Sequence, residues 1–207
     1  DDPEVAEGAA FLFAGSDDGL SDVAAWKAES NEAGARLGYA LDGAGDVNGD
    51  GYSDLLVGAY LSNASATDGG AAYLWHGAPV PPPDGSPLNA DWSTARAQGS
   101  AHLGYAVRSA GDVNADGLSD IVVSSPDDDF VAANGGVAWF WFGGDDGIAG
   151  PAANWYVAGD QVDGRIGLDL AGVGDVNGDG FCDVMVGGPQ IDMGQTNEGR
   201  SYLYYGN

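Results

Sequence analysis

Three short acidic segments carry the side chains best suited to chemistry, and that chemistry is the binding of a hard cation. Each segment has Asp, Asn, Asp and Asp at positions 1, 3, 5 and 9, a Gly at position 6, and at position 7 a backbone carbonyl that can point inward. Calcium takes about six to eight oxygen ligands, and glycine permits the tight bend that gathers alternate residues around one ion. The pattern therefore predicts about three calcium ions, one for each segment. The predicted ligands are Asp46, Asn48, Asp50, the carbonyl of Tyr52 and Asp54 in the first segment; Asp112, Asn114, Asp116, the carbonyl of Leu118 and Asp120 in the second; and Asp175, Asn177, Asp179, the carbonyl of Phe181 and Asp183 in the third.

Other kinds of site fit these segments less well. An EF-hand places a Glu at position 12 between two helices, whereas position 12 is Val57, Val123 or Val186 here. Magnesium requires nearly octahedral, short bonds and keeps its waters, so calcium is the better candidate. A set of ion-free turns, closed by hydrogen bonds from the backbone to Asp side chains, is the remaining alternative. Three copies that keep every oxygen donor favour the metal, because turns would accept Ser or Gly at several of these positions.

The composition limits the classes of partner. The chain has 207 residues, 32 acidic side chains against 6 basic ones, and a net charge of −26, which repels nucleic acid and anionic lipid surfaces. A hydrophobic fraction of 44% is enough to build a core. The single cysteine, Cys182, excludes an intrachain disulfide framework, and no apolar run approaches the roughly 20 residues that cross a bilayer. Residues 1–4 include neither an initiator Met nor a signal segment, which is typical of a mature or excised piece.

The acidic segments belong to a longer internal repeat. Their first residues are 66 and 63 residues apart, and Trp26, Trp92 and Trp155 keep the same two spacings. Repeats of this length are typical of propellers and solenoids. The pattern predicts a single domain over residues 1–207, with repeat units at approximately 8–69, 70–135 and 136–198 and a partial unit at 199–207.

Each repeat reads as four short strands with a hydrophobic period of two. In the first acidic repeat, the first strand is predicted over 37–40 and ends at the acidic segment, and the second spans 54–58. The third strand of each repeat alternates aromatic residues, and the fourth begins at the Trp that recurs at the repeat spacing. These features predict an all-β fold made of β-propeller blades of four antiparallel strands. Because the chain begins and ends in a third strand, we expect oligomerisation or a longer array to complete the propeller.

The sequence resembles the FG-GAP repeats of integrin α-chain propellers and related extracellular proteins. The motif residues are Leu37-Gly38, Leu103-Gly104 and Ile166-Gly167 before the acidic segments, and Gly58-Ala59-Tyr60, Ser124-Ser125-Pro126 and Gly187-Gly188-Pro189 after them. The resemblance implies calcium ions that rigidify the blades. It also implies ligand recognition by loops on the opposite face or between blades, and a location outside the cell or at its surface.

We therefore expect a calcium-binding module for adhesion to a protein or a glycan. A structural subunit that self-assembles through open blade edges is the alternative, and a hydrolase is a third candidate. No enzyme is predicted, because the sequence shows no nucleophile elbow and no paired acid and base at catalytic spacing. Packing between blades is favoured over sugar stacking for the three Trp side chains, and a solvated turn is favoured over a further ion site for residues 127–129.

Overall fold

The structure is a computed structural model, and it describes residues 5–79 and 83–207. Fifteen β-strands and no helix occur within these ranges. The strands are β1 (Ala9–Leu12), β2 (Gly15–Ser16), β3 (Gly19–Leu20), β4 (Trp26–Glu29), β5 (Ala40–Gly45), β6 (Asp54–Ala59), β7 (Ala71–Trp75), β8 (Trp92–Ala95), β9 (Val107–Gly111), β10 (Asp120–Ser125), β11 (Val137–Trp141), β12 (Trp155–Ala158), β13 (Asp169–Gly174), β14 (Asp183–Gly188) and β15 (Arg200–Tyr204).

The strands form antiparallel sheets in chain order. Two sheets have four strands, in the orders β5-β6-β7-β8 and β9-β10-β11-β12, and a third has the order β13-β14-β15. The amino-terminal strands β1 and β4 form a two-stranded sheet, and β2 and β3 form a small hairpin between them. The all-β prediction with blades of four antiparallel strands is confirmed.

Burial explains why the middle strands are so apolar. All six residues of β10 and all five of β7 and β11 are buried, since these strands have neighbours on both edges and a packed sheet on each face. A strand buried on both faces reads as a continuous apolar run rather than as an alternation. Short strands of this kind gain their stability from packing between sheets.

The hydrophobic core is divided into layers between successive sheets. One layer joins Leu56 and Leu74 of the first four-stranded sheet to Val107 and Ile121 of the second. A second layer lies between the second and third sheets, and a third lies between β1, β4 and the first four-stranded sheet. The third-strand aromatics Tyr73, Trp75, Trp139 and Trp141 are buried in these layers.

The first strands of the three larger sheets lie side by side, with β9 in contact with both β5 and β13. They begin later than predicted, because the motif before β5 forms a turn and Leu37 makes only an isolated bridge to Gly8. In the next repeat, close packing explains why the second residue of the motif is glycine. Gly104 has a φ of +83°, and a Cβ there would overlap the carbonyl of Ala71. A glycine is required where two neighbouring blades approach this closely.

Candidate metal sites

Each acidic segment connects the first and second strands of a sheet at the same end of that sheet. A β-bulge precedes the first segment, because the register between β5 and β6 shifts between Gly43 and Gly45. Gly45 has a φ of +76°, and its counterparts Gly111 and Gly174 have φ values of +71° and +68°. A glycine in the left-handed region allows the bulge to turn the chain sharply into the loop.

The first carboxylate of each loop binds the backbone of the loop itself. Asp46 accepts hydrogen bonds from the N–H groups of Gly49 at 2.7 Å, Asp50 at 3.2 Å and Gly51 at 2.8 Å. Asp175 accepts the corresponding three bonds in the third loop. These bonds close the loop and hold the first carboxylate at its centre.

The residues at positions 3 and 5 are joined to each other. The amide of Asn48 donates to Oδ2 of Asp50 at 3.0 Å, and Oδ1 of Asn48 accepts from the N–H of Asp50 at 3.1 Å. Oδ1 of Asp50 accepts from the N–H of Tyr52 at 2.9 Å. The second and third loops repeat the pairing of Asn with Asp at 2.9 Å and 2.7 Å. The position 7 residues Tyr52, Leu118 and Phe181 lie at the end of each loop, and the side chain of Tyr52 is exposed.

The aspartate at position 9 has a role that spacing alone does not reveal. Asp54 is fully buried, and its two oxygens accept from the N–H of Val47 at 2.9 Å and of Gly77 at 2.8 Å. Asp120 and Asp183 are also fully buried and make the same two bonds, one to the loop and one to the second residue after the third strand. Position 9 therefore ties the acidic loop to the third strand. In the sequence, an Asp at the start of an otherwise apolar strand could have indicated this buried, hydrogen-bonded role.

The loops contain carboxyl groups with opposite pKa shifts. Burial raises the pKa of Asp120 to about 6, against the opposing effect of its two backbone hydrogen bonds, and burial also raises the pKa of Asp54. The N–H of Tyr52 and then the Asn48 amide lower the pKa of Asp50, and the N–H of Gly180 is the main cause that lowers the pKa of Asp175. Hydrogen bonds thus favour the ionised form of Asp50 and Asp175, whereas burial makes Asp54 and Asp120 hold their protons more tightly.

The donor chemistry of each loop fits calcium, because every side chain at positions 1, 3, 5 and 9 offers oxygen. Among the residues that the structure describes, no group of three or more His, Cys, Asp or Glu side chains is gathered closely enough to hold a metal ion. The loops are closed by hydrogen bonds from backbone N–H groups to Asp side chains, as the alternative of ion-free turns predicts. Oδ1 of Asp46 and Oδ1 of Asp175 each accept two hydrogen bonds, whereas each oxygen of Asp50 and Asp54 accepts one and keeps a further lone pair. The ligand set at the three loops stays a prediction.

Backbone hydrogen bonds link each acidic loop to the next. The carbonyl of Asp46 accepts from the N–H of Ser119 at 2.8 Å, and the carbonyl of Asp112 accepts from the N–H of Cys182 at 2.8 Å. The side chains of Asp46 and Asp112 are half-buried under the following sheet, whereas Asp175 is exposed. The three loops therefore form one connected row along the end of the sheets.

The prediction of a solvated turn at residues 127–129 is wrong for its first two residues. Asp128 is fully buried, and its carboxylate lies 2.7 Å from Nε of Arg96 and accepts from Ser125 Oγ at 3.0 Å. Asp127 lies between the ring of His102 and the guanidinium of Arg165, with closest distances of 2.7 and 2.6 Å. Only Asp129 is exposed among these three residues. Ion pairs with Arg96 and Arg165, which follow the outer strands β8 and β12, account for Asp128 and Asp127.

Comparison with known proteins identifies the repeat. A profile described as the FG-GAP repeat matches residues 37–75 and 169–204, which contain the first and third acidic loops and their flanking strands. The chain contains FG-GAP repeats. The middle repeat lies outside the matched residues but has the same order of strands, and its Asp112 accepts two backbone bonds where Asp46 and Asp175 accept three. The predicted resemblance is confirmed.

Similar proteins include integrin α-chains and a phospholipase. The chain is 35% identical to "Integrin alpha-E" of Mus musculus over 45% of this chain and 8% of that protein. It is 31% identical to "Phosphatidylinositol-glycan-specific phospholipase D" of Homo sapiens over 83% of this chain and 21% of that protein. It is 31% identical to "Integrin alpha-7" of Rattus norvegicus over 73% of this chain and 12% of that protein. The chain therefore aligns with between 8% and 21% of the length of these relatives. No helix within the described residues is long and apolar enough to span a membrane.

Proposed function

We propose that this chain is a calcium-binding β-propeller module that binds a protein or glycan partner outside the cell or at its surface. The observation that carries the proposal is the threefold acidic loop, which keeps all four oxygen-bearing side chains in each FG-GAP repeat. The similarity to integrin α-chains and the strongly acidic composition support an adhesive, extracellular role. The identity of the partner is open to experiment.

Charge gives a physical reason for calcium. Each loop holds three carboxylates within nine residues, and one pair of like charges about 4 Å apart costs about 4 kcal/mol at an effective dielectric near 20. A divalent ion would reduce the charge of a loop from −3 to −1. Asp46, Asn48, Asp50, the Tyr52 carbonyl and Asp54 would hold the first ion, and the equivalent residues would hold the other two. Binding would stabilise each loop and the two strands that it joins.

Thermal unfolding in metal-free buffer tests the calcium proposal. We expect calcium to raise the melting temperature well above its metal-free value, and magnesium at equal concentration to raise it less, since each site filled at 100 times its Kd adds about 2.7 kcal/mol. The control is the triple variant Asp50→Asn, Asp116→Asn, Asp179→Asn, which should lose most of the calcium effect. An identical melt with and without calcium would contradict the proposal.

A binding function and a catalytic function give different results in simple assays. We propose that the module itself is not an enzyme, although its similarity to the named phospholipase D covers most of the chain. Release of a phosphatidylinositol-glycan anchor by the purified chain would contradict this. A glycan array and a protein pull-down with the calcium-loaded chain test recognition, and silence in both would count against it.

Self-assembly is the second candidate function, because within the described residues two sheets lack strands that the four-stranded sheets have. β15 has a neighbour only on its β14 side, and β1 pairs only with β4. Exposed sheet edges are templates for strand pairing between chains. Light scattering with and without calcium tests this, since large calcium-dependent species would support assembly and a strict monomer would remove it.

A further inference from the structure

A cluster of three aromatic rings lies on the second four-stranded sheet. Phe130, in the linker between β10 and β11, packs edge-on against Trp139 of β11 and Tyr156 of β12, with ring centres 5.3 and 5.0 Å away. The rings of Trp139 and Tyr156 are 5.5 Å apart. Trp139 is buried, whereas Phe130 is 47% exposed, Tyr156 is 46% exposed, and Val131 beside Phe130 is also exposed. We call the exposed residues Phe130, Val131 and Tyr156 the Phe130 patch.

The base of the patch is held by buried polar contacts. Nε1 of Trp139 donates to Oγ of Ser125 at 2.8 Å, and the guanidinium of Arg96 lies 4.5 Å from the centre of the Trp139 ring. The fully buried Asp128 fixes both partners, since its carboxylate lies 2.7 Å from Nε of Arg96 and accepts from Oγ of Ser125 at 3.0 Å. A surface that is ordered before a partner arrives loses less conformational entropy on binding.

The repeat itself does not require aromatic rings at these positions. In the preceding repeat, the equivalent linker between β6 and β7 has Ala64 in place of Phe130, and β8 has Ser93 in place of Tyr156. That repeat still forms a four-stranded sheet, and its linker is closed by the same kind of hydrogen bond from a backbone N–H to a side chain. The two exposed rings are therefore an addition to the framework of the repeat.

The exposure of the patch does not come from a missing neighbour. The sheet β9-β10-β11-β12 has all four strands, and core layers join it to a sheet on each face. Apolar side chains that stay exposed together on such a sheet indicate an interaction site. Aromatic side chains on a fixed base are typical of the centre of a protein interface.

The charge beside the patch favours a basic partner. Asp129 adjoins Phe130, and Asp163 accepts from the side-chain amide of Asn134, in the same linker, at 2.8 Å. Both carboxylates are exposed and have no ion pair within the described residues, whereas the other two carboxylates of the linker pair with arginine. The net charge of −26 adds long-range attraction for a positive surface and repels a second copy of the chain.

We propose that the Phe130 patch is the docking site for a protein that presents an aliphatic or aromatic side chain flanked by lysine or arginine. The apolar side chain packs on the rings of Phe130 and Tyr156, and the basic side chains lie beside Asp129 and Asp163. A sugar fits this surface less well, because Phe130 and Val131 offer no side-chain hydrogen bond to its hydroxyl groups. The proposal rests on the proposed recognition function and gives it a location and a partner chemistry.

Selection from a displayed library of random peptides tests the proposal on the whole chain in calcium buffer. We expect the enriched peptides to place an aliphatic or aromatic residue next to lysine or arginine. Their affinity should fall at least tenfold in the double variant Phe130→Ser, Tyr156→Ser, because the apolar anchor loses its contact surface. It should fall about threefold in the double variant Asp129→Asn, Asp163→Asn, with a larger effect at low salt.

Matched variants separate docking from changes in the fold. Leu88→Ser removes an exposed apolar side chain outside the patch and should leave the affinity unchanged. Asp129→Asn and Asp163→Asn remove a charge but keep the oxygen that accepts the hydrogen bond of each loop. Melting curves of all variants show that they are folded.

Several results would overturn the proposal. Peptides that bind equally well to the Phe130→Ser, Tyr156→Ser variant would exclude this site while leaving a recognition function in place. Enrichment of acidic peptides would contradict the partner chemistry. Binding of a neutral glycan that the same double variant abolishes would make the patch a sugar site, and self-association that it abolishes would make a second copy the occupant. Silence of both the peptide library and a glycan array would count against the recognition function itself.

Discussion

Carboxyl groups that look equivalent in the acidic pattern separate into two kinds once burial is considered. Asp116 is exposed and bonds only to its own loop, whereas Asp120 is fully buried and bonds to two distant backbone N–H groups. The exposed kind is available to a metal ion at little cost. The buried kind contributes to the fold before any ion binds.

Substitution of these two residues should therefore have different effects. We expect Asp120→Ala to lower the free energy of unfolding by about 2 kcal/mol at pH 7 in metal-free buffer, because two buried N–H groups lose their acceptor, and by more in calcium, because the second loop also loses a ligand. Asp116→Ala should change the calcium-free value by about 0.5 kcal/mol or less and should remove the calcium increment of its loop. Urea unfolding of both variants in calcium and in metal-free buffer measures this. Equal effects in the two buffers for Asp116→Ala would contradict its assignment as a ligand.

The raised pKa of Asp120 predicts a pH dependence with a definite sign. Burial raises its pKa to about 6 in the fold, compared with about 3.9 in the unfolded chain. The folded state then binds more protons between these values, so the stability that the neutral group contributes below pH 4 is lost as the pH rises through 6. In metal-free buffer, the stability of the natural chain should fall relative to Asp120→Asn from pH 4 to pH 6.

Calcium should reverse that trend, because an ion at the second loop requires the ionised carboxylate. The calcium increment in melting temperature should therefore grow as the pH rises from 5 to 7. The same scans on Asp120→Asn are the control, since its amide does not titrate. A calcium increment that is flat with pH in the natural chain and in the variant would contradict a role for Asp120 in binding.

The fully buried Asp128, after β10, forms an ion pair with the half-buried Arg96, which follows β8. The guanidinium of Arg96 also lies 4.5 Å from the centre of the Trp139 ring. We expect Asp128→Asn to lower the free energy of unfolding by about 3 kcal/mol, because it leaves the Arg96 charge without its partner. Asp129→Asn, at the exposed neighbour, is the matched control and should have little effect. Denaturant unfolding in calcium-replete buffer decides this, and equal values for the two variants would be inconsistent with the ion pair.

At the scale of elements, the three acidic loops are joined by backbone hydrogen bonds rather than standing alone. The carbonyls of Asp46 and Asp112 each accept from the following loop. An ion that orders one loop should therefore also favour the ion-bound conformation of the adjacent loop. Coupling of this kind is expressed as a change in affinity between sites.

Removal of the middle site tests this coupling. We expect Asp112→Asn with Asp116→Asn to abolish one calcium site and to weaken the other two severalfold, as measured by isothermal titration calorimetry. The matched control is Asp175→Asn with Asp179→Asn in the third loop. Loss of the third site should weaken calcium binding at the middle loop more than at the first loop, because the first and third loops share no such backbone hydrogen bond within the described residues. Unchanged affinities at the remaining sites in both variants would contradict the coupling.

The strands were largely predictable because their causes are local. Aromatic alternation placed β7, β11 and β15, and the apolar runs after the acidic loops placed β6, β10 and β14. The starts of the first strands were not predictable, since the turn at Gly38 and Gly104 depends on a third strand from a neighbouring sheet. Likewise, the sequence alone could not distinguish Trp155, which is exposed, from its buried counterparts Trp26 and Trp92.

The acidic loops show the same division between local and distant causes. The repeated spacing predicted which oxygen donors share a loop. It did not predict that position 9 is a buried anchor, because the partner of Asp54 at Gly77 is 23 residues away. The ion pairs of Asp127 and Asp128 were missed for the same reason, since Arg96 and Arg165 come from other parts of the chain.

At the scale of the whole molecule, stability comes from apolar layers between sheets, while charge is concentrated at the loops and the surface. The net charge of −26 opposes compaction unless cations are bound. Calcium at the row of loops would relieve this repulsion where successive sheets meet. Metal binding would therefore be part of the architecture.

The amount of calcium bound per chain tests this central claim most directly. After equilibrium dialysis against micromolar calcium, elemental analysis should find about three ions per chain, and close to none in the variant that carries Asp50→Asn, Asp116→Asn and Asp179→Asn. Calcium near zero in the natural chain, or the same amount in the natural chain and the variant, would contradict the account.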